Sequence, residues 1–288
     1  MPAAFLVAFM LAQTAVVPVT AEERYLADLR ARIARGDVEA EVALGNLYES
    51  GQSVLPLDPA RAAEWYRRAA DKGHAGAAMN LAMMYFDGQG VGRDVQQAVA
   101  WYERAADRGD AMARFSLGAI YESGANRIAR DTVKAASWYR KAADQGLESA
   151  QYRLALMYRD GRGVPRDRTQ ALTWLRKAAD QDDTDAQLEL GIQLSPGHGV
   201  PSDIVEAHTW LNLAASRWKN EAKRVKAGQL RDALEKQMTP EQRAQAYKRA
   251  TDWQDAHAWQ RQSAASRAGA RDPGSGARDR EPGNREVK

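Results

Sequence analysis

Apolar and polar residues alternate along this chain with two periods, one nested inside the other. The short period is helical. Ala77, Leu81 and Tyr85 recur at i, i+4 and i+8, which puts them on one face of a helix, and Gly88-Gln89-Gly90 stops it. A second helix opens at Asp94, whose carboxylate can accept from the free N–H groups of the first turn. Gln97, three residues on, completes a capping box, and Ala98, Trp101 and Ala105 line the apolar face. Asp167 with Gln170 and Asp203 with Glu206 repeat the box, and Pro59 follows Asp58 at the first helical position.

The long period is the length of one helical hairpin. Trp65, Trp101, Trp138, Trp174 and Trp210 are separated by 36, 37, 36 and 36 residues. An Asp stands seven residues before each (Asp58, Asp94, Asp131, Asp167, Asp203). Upstream run an Ala column (Ala40, Ala77, Ala113, Ala150, Ala186) and a Leu column (Leu44, Leu81, Leu117, Leu154, Leu190). Each Leu is followed by a small residue: Gly45, Ala82, Gly118, Ala155, Gly191. Tyr48, Tyr85, Tyr121 and Tyr158 come next, with Leu194 in the last copy. Gly73, Gly109 and Gly146 end the second helices, with Asp182 at that place in the fourth copy. Five helical hairpins in register predict an all-α, right-handed solenoid with a concave side, because one hairpin cannot bury its apolar face alone. The small residue after each Leu lets the two helices approach, and the Trp is expected to fill the space beside it.

The ends break the pattern. Residues 1–21 carry no charge, and the small-residue exit Val19-Thr20-Ala21 precedes Glu22-Glu23-Arg24, as in a secretory leader cut after Ala21. Residues 22–35 are expected to form an N-terminal capping helix. Residues 219–260 are expected to form C-terminal capping helices, the last opened by the box Thr239-Pro240-Glu241-Gln242. Residues 261–288 hold 7 basic and 4 acidic side chains, no aromatic, and Val287 as the only large aliphatic, so a disordered basic tail is expected. The tail accounts for the whole net charge of +3, and residues 22–260 balance at 34 of each sign. A basic groove for nucleic acid is therefore not expected.

The chemistry available is limited. With no Cys, disulfides, thiolate metal sites and thiol nucleophiles are excluded. His74, His198, His208 and His257 show no i, i+4 pairing, so no metal site is expected and each is assigned to a loop or the surface. The Gly-x-Gly stretches lack the strand context of a phosphate loop and read as turns. Ser216-Arg217-Trp218-Lys219 matches a Ser-x-x-Lys string but lacks its partner motifs. No catalytic residue, cofactor or metal is assigned.

The run of Leu-Gly/Ala, Tyr, Gly-x-Gly-Val, Asp and Ala-x-x-Trp-Tyr-x-x-Ala-Ala-Asp-x-Gly resembles the Sel1-like repeat, a relative of the tetratricopeptide repeat, over residues 36–218. The inter-helix motif departs at Gly51-Gln52-Ser53-Val54 and at Gly124-Ala125-Asn126-Arg127. The resemblance implies a non-enzymatic scaffold that binds a protein or peptide in a groove lined by the first helices. Carried over by register, the implied contact residues are Met79, Met83, Phe86, Phe115, Glu122, Tyr152, Leu156, Arg159, Leu188 and Ile192. With the leader, it implies a periplasmic or secreted bacterial protein. The alternatives are a penicillin-interacting envelope enzyme acting through Ser216, and a cytoplasmic signalling regulator if the leader is retained.

Overall fold

The computed structural model describes residues 20–51, 55–124, 128–197 and 202–269, without the side chains of 259–269. Most of the expected leader, the last 19 residues of the expected tail, His198 and the departing residues 52–54 and 125–127 lie outside these. Among the described residues there are thirteen helices and no strand.

The described residues form two compact units, divided after Ala142. The first holds α1 (Ala21–Ala34), α2 (Val38–Ser50), α3 (Pro59–Asp71), α4 (Ala75–Asp87), α5 (Val95–Asp107), α6 (Ala111–Ser123) and most of α7 (Thr132–Asp144). The second holds α8 (Glu148–Asp160), α9 (Arg168–Asp180), α10 (Thr184–Leu194), α11 (Ile204–Arg217), α12 (Glu221–Glu235) and α13 (Pro240–Gly269). The hairpins α2–α3 to α10–α11 are repeats one to five. The last helix continues nine residues past Gln260, into the segment expected to be disordered. Residues 261–268 are Arg, Gln, Ser and Ala only, so helix propensity there is adequate without a core.

The recurring Asp residues are caps. Asp58, Asp94, Asp131, Asp167 and Asp203 accept backbone N–H groups two or three residues on, at 2.9–3.1 Å. In repeats one to four the same Asp donates its own N–H back to the first-helix tyrosine carbonyl at 2.8–2.9 Å, as from Asp94 to Tyr85. One residue thus closes the hairpin loop and starts the next helix. The reciprocal half of the expected boxes is therefore not formed: the Asp94 and Asp167 N–H groups go to the tyrosine carbonyls rather than to Gln97 and Gln170, and in repeat five the Glu206 carboxylate accepts from Arg176 and Trp210 instead. At Thr239 both halves form, with Gln242.

The step between repeats is as economical. At the end of α3, Gly73 takes φ 95° and donates to Ala70 O, while the N–H of His74 reaches Ala69 O. This is a Schellman closure. His74 then caps α4, its Nδ1 accepting from Ala77 N at 3.0 Å, which leaves Nε2 to donate to Glu39. Asp37, Asp110 and Asp183 cap α2, α6 and α10 in the same way. Asp182 stands in the left-handed conformation without being glycine, at φ 74°.

In each unit the Ala and Leu columns lie buried in the core. The residue over the small position is not the Trp but the one after it. A Cβ at Gly118 would lie 2.6 Å from the Tyr139 ring, and the same holds for Gly45 under Tyr66 and Gly191 under Leu211. The Trp sits one helical step aside and carries a cation from three residues on. Arg68, Arg104, Lys141 and Lys177 lie 3.9–4.4 Å from the centroids of Trp65, Trp101, Trp138 and Trp174. Where the small residue is Ala82, burial pushes the Tyr102 phenol up, and Ser116 on the next first helix acts against it. With Gly118, Tyr139 instead bonds Glu122 of its own repeat, at 2.9 Å.

Candidate functional site

In the first unit, α4 presents Met79, Met83 and Phe86 at i, i+4 and i+7, half-buried and resting on the core. Arg93 braces the end of this stripe. Its guanidinium lies 6.0 Å from the Phe86 ring centroid and its Nε donates to Phe86 O at 3.0 Å. On α6 the equivalent stripe is not open. Phe115 is only 8% exposed and packs tilted on Tyr139, ring centroids 5.4 Å apart. The expectation that it lines a surface is corrected, because the ring drawn in over Gly118 covers it. Glu122 is half-buried as the acceptor of Tyr139. Glu49 plays the same part for Tyr66, at 2.7 Å.

In the second unit, α8 presents Tyr152, Leu156 and Arg159 with the same spacing, all half-buried. Burial pushes the Tyr152 phenol up, and the neighbouring Asp185 and Glu189 push it further. Arg159 is already engaged, Nε on Asp160 at 2.7 Å and Nη1 on Glu189 of α10 at 2.6 Å. These bonds raise its pKa and lower that of Asp160. On α10, Ile192 is half-buried, but Leu188 is 7% exposed and belongs to the core. Three residues before it, Asp185 accepts from Lys223 of α12 at 2.7 Å. The surface expectation for Leu188 is likewise corrected.

Several engaged residues have no counterpart among the expectations. Glu41 is fully buried, its Oε1 3.0 Å from both Arg68 and Lys72. Its register equivalents Gln151 and Gln187 donate instead to Ala143 O and Ala179 O, at the end of the preceding helix. The signal was a polar residue directly after the Ala column. Asp183, capping α10, is held up to about 6 by burial, against the opposing bond from Ala186 N. His208 is fully buried, not at the surface, with Nε2 2.9 Å from Glu235 and its ring edge-on to Tyr247 at 5.1 Å. The packing of α12 and α13 on α11 closes over it, which no local pattern announces. Ser216 Oγ donates to Leu213 O at 2.8 Å, so this hydroxyl serves the last turn of α11.

Among the described residues no group of three His, Asp or Glu side chains is placed to hold a metal ion, and no helix is long and apolar enough to cross a membrane. What each unit offers is a row of half-buried apolar side chains on first helices; α4 is capped at its start by His74, while the start of α8, at Leu147, has no side-chain cap.

A family model described as Sel1 repeat matches residues 38–74, 75–110, 111–147, 148–183 and 184–217. Among solved structures, the chain is similar to c5321, a protective antigen present in uropathogenic Escherichia coli strains displaying an SLR fold. The identity is 32%, the TM-score 0.68 and the coverage 89% of this chain. The chain spans about half of c5321, 53% of its length. It is also similar to a Sel1 repeat protein from Oxalobacter formigenes, at 29% identity and TM-score 0.63, covering 68% of this chain and 80% of that one. No curated protein matches the chain.

Proposed function

This chain belongs to the Sel1 repeat family, whose members are in general non-enzymatic protein-interaction scaffolds, and we propose that it binds a protein or peptide segment along the first helices of its repeats, in the bacterial envelope. The observation that carries the reading is the α4 row Met79, Met83 and Phe86, together with Tyr152, Leu156 and Ile192 in the second unit. These side chains are apolar and partly open, on helices packed against the core. Met adapts to irregular partners and aromatics anchor them. Hairpins held by caps need little further ordering on docking, so less of the contact energy is lost to entropy. Residues 1–21, uncharged and ending in small residues, support export and a mature chain beginning at Glu22.

The test is photo-crosslinking in cells from a benzophenone side chain at Tyr152 or Met83, with Val133 as a control. Val133 lies on a second helix and is 66% exposed. Expected is one discrete envelope protein captured from both first-helix positions, and lost on Phe86→Ala with Arg159→Ala. Capture from Val133 alone, or none from the first helices, would overturn the reading. The mature amino terminus, Glu22 or Met1, settles the compartment independently.

A further inference from the structure

The last helix closes back on repeats four and five by a short series of aromatic and polar contacts. Trp253 of α13 meets Trp210 of α11 edge to face, ring centroids 6.1 Å apart. In repeats one to four a Lys or Arg three residues after the Trp covers the indole. In repeat five Leu213 stands at that place, and α13 supplies the cover. One turn beyond Trp253, His257 stacks on its indole at 3.7 Å with the planes 18° apart. Its Nε2 lies 2.7 Å from the backbone oxygen of Asp180, the last residue of α9, and its Nδ1 lies 2.9 Å from the carbonyl oxygen of Trp253.

Both oxygens can only accept. A neutral imidazole has one N–H and one lone pair, so it can donate to one of the two carbonyls and must turn a lone pair toward the other. Imidazolium has two N–H groups and satisfies both. Its charge also suits the indole face on which it lies. The charged groups around it are few. From α9 come Asp180 and Arg176, and from α11 come Glu206, bonded to Arg176, and Arg217. Arg217 pairs with Asp182 and lies 5.3 Å from the Trp253 ring, opposing a second cation there. Arg249, on α13 itself, acts on Glu206. The two carboxylates nearest the contact favour a cation. The remaining contact is not generous, since Trp253 Nε1 is buried with no acceptor among the described residues.

We infer that α13 is a pH-sensitive latch: the imidazolium form of His257 fastens the helix to the end of α9, and loss of that proton loosens it from repeats four and five. Docking sets the ring between two oxygens that can only accept, so acidification favours the docked helix and alkalinisation releases it. The other histidine at this end, His208, has its Nδ1 buried with no partner among the described residues.

Hydrogen exchange of the full chain tests the latch, as protection factors over residues 248–258 at pH 5.5 and pH 8.5. Wild-type protection is expected to fall at least fivefold at the higher pH. His257→Arg, which offers N–H donors at both values, is expected to stay protected at both. His257→Gln is expected to show no difference between them, while residues 184–217 stay protected in every variant. A flat wild-type response, or a pH dependence that survives in His257→Gln and so runs through His208, would overturn the inference.

Discussion

A single methyl at Gly118 would test the fit between the small residue of a first helix and the side chain after the Trp. The new Cβ would stand 2.6 Å from Tyr139 Cδ1 and 2.7 Å from Cε1. The ring is 1% exposed, bonded to Glu122 and leaning on Phe115. Either α6 and α7 separate or the ring turns. Repeat two already carries a methyl at this register, Ala82, with the Tyr102 side chain buried in the same core. Turning Tyr139 forfeits its bond to a carboxylate, worth about 1.5–3 kcal/mol. Ala in place of Gly inside a helix returns about 0.5–1 kcal/mol. Gly118→Ala is therefore expected to destabilise by about 1–2 kcal/mol in urea denaturation, with protection from exchange lost first over residues 113–141. In a Tyr139→Phe background the bond is already gone, so the methyl should cost less, with a coupling of about 0.5–2 kcal/mol. A Gly118→Ala chain more stable than wild type, by the propensity gain alone, would refute the reasoning. So would strict additivity with Tyr139→Phe.

Further outcomes follow from buried charge and from the caps. Asp183 is raised from 3.8 to about 6, so its folded form holds the proton more tightly and its ionisation costs stability above that pH but not below 3.8. Asp183→Asn keeps an acceptor for Ala186 N and is expected to add about 1–3 kcal/mol at pH 7.5 and nothing at pH 3.5, read from thermal melts at both. Glu41 is fully buried while Arg68 and Lys72 are half-exposed. Arg68→Ala with Lys72→Ala should cost about 3–5 kcal/mol by stranding the carboxylate, and Glu41→Leu should fall within about 1 kcal/mol of wild type in the same melts. Thr20 and Glu23 form a capping box at the start of α1. A chain beginning at Glu22 lacks that box and is expected to lose about 0.5–2 kcal/mol of local stability in α1, seen as faster exchange over residues 26–33 than in a chain beginning at Thr20.

The features legible in the sequence are those whose chemistry closes within one hairpin. An Asp that caps one helix and returns its N–H to the helix before it must recur at a fixed distance from both, so the Asp column announces the loops. An Ala or Leu column announces a face, because i, i+4 spacing leaves no other place for it. What a face meets is decided elsewhere. Met79 and Phe115 share one column, yet Met79 stays half-open while Phe115 is buried, and the difference lies in Tyr139, drawn in over Gly118. Trp and the residue after it are both large and apolar and lie about 100° apart on the helix, so spacing alone could not say which one faces the glycine. The cation three residues after the Trp of repeats one to four was visible and bears on the matter physically. A cation packed on one face of the indole occupies that face, which leaves the place over the glycine to the next residue. His208 and His257 depend on helices that carry no repeat at all, and two isolated histidines gain meaning only when α13 is seen to bring one to the Asp180 carbonyl and a ring edge against the other. The periodic part of this chain therefore encodes its scaffold locally, and the positions where it departs from periodicity are the ones whose roles are tertiary.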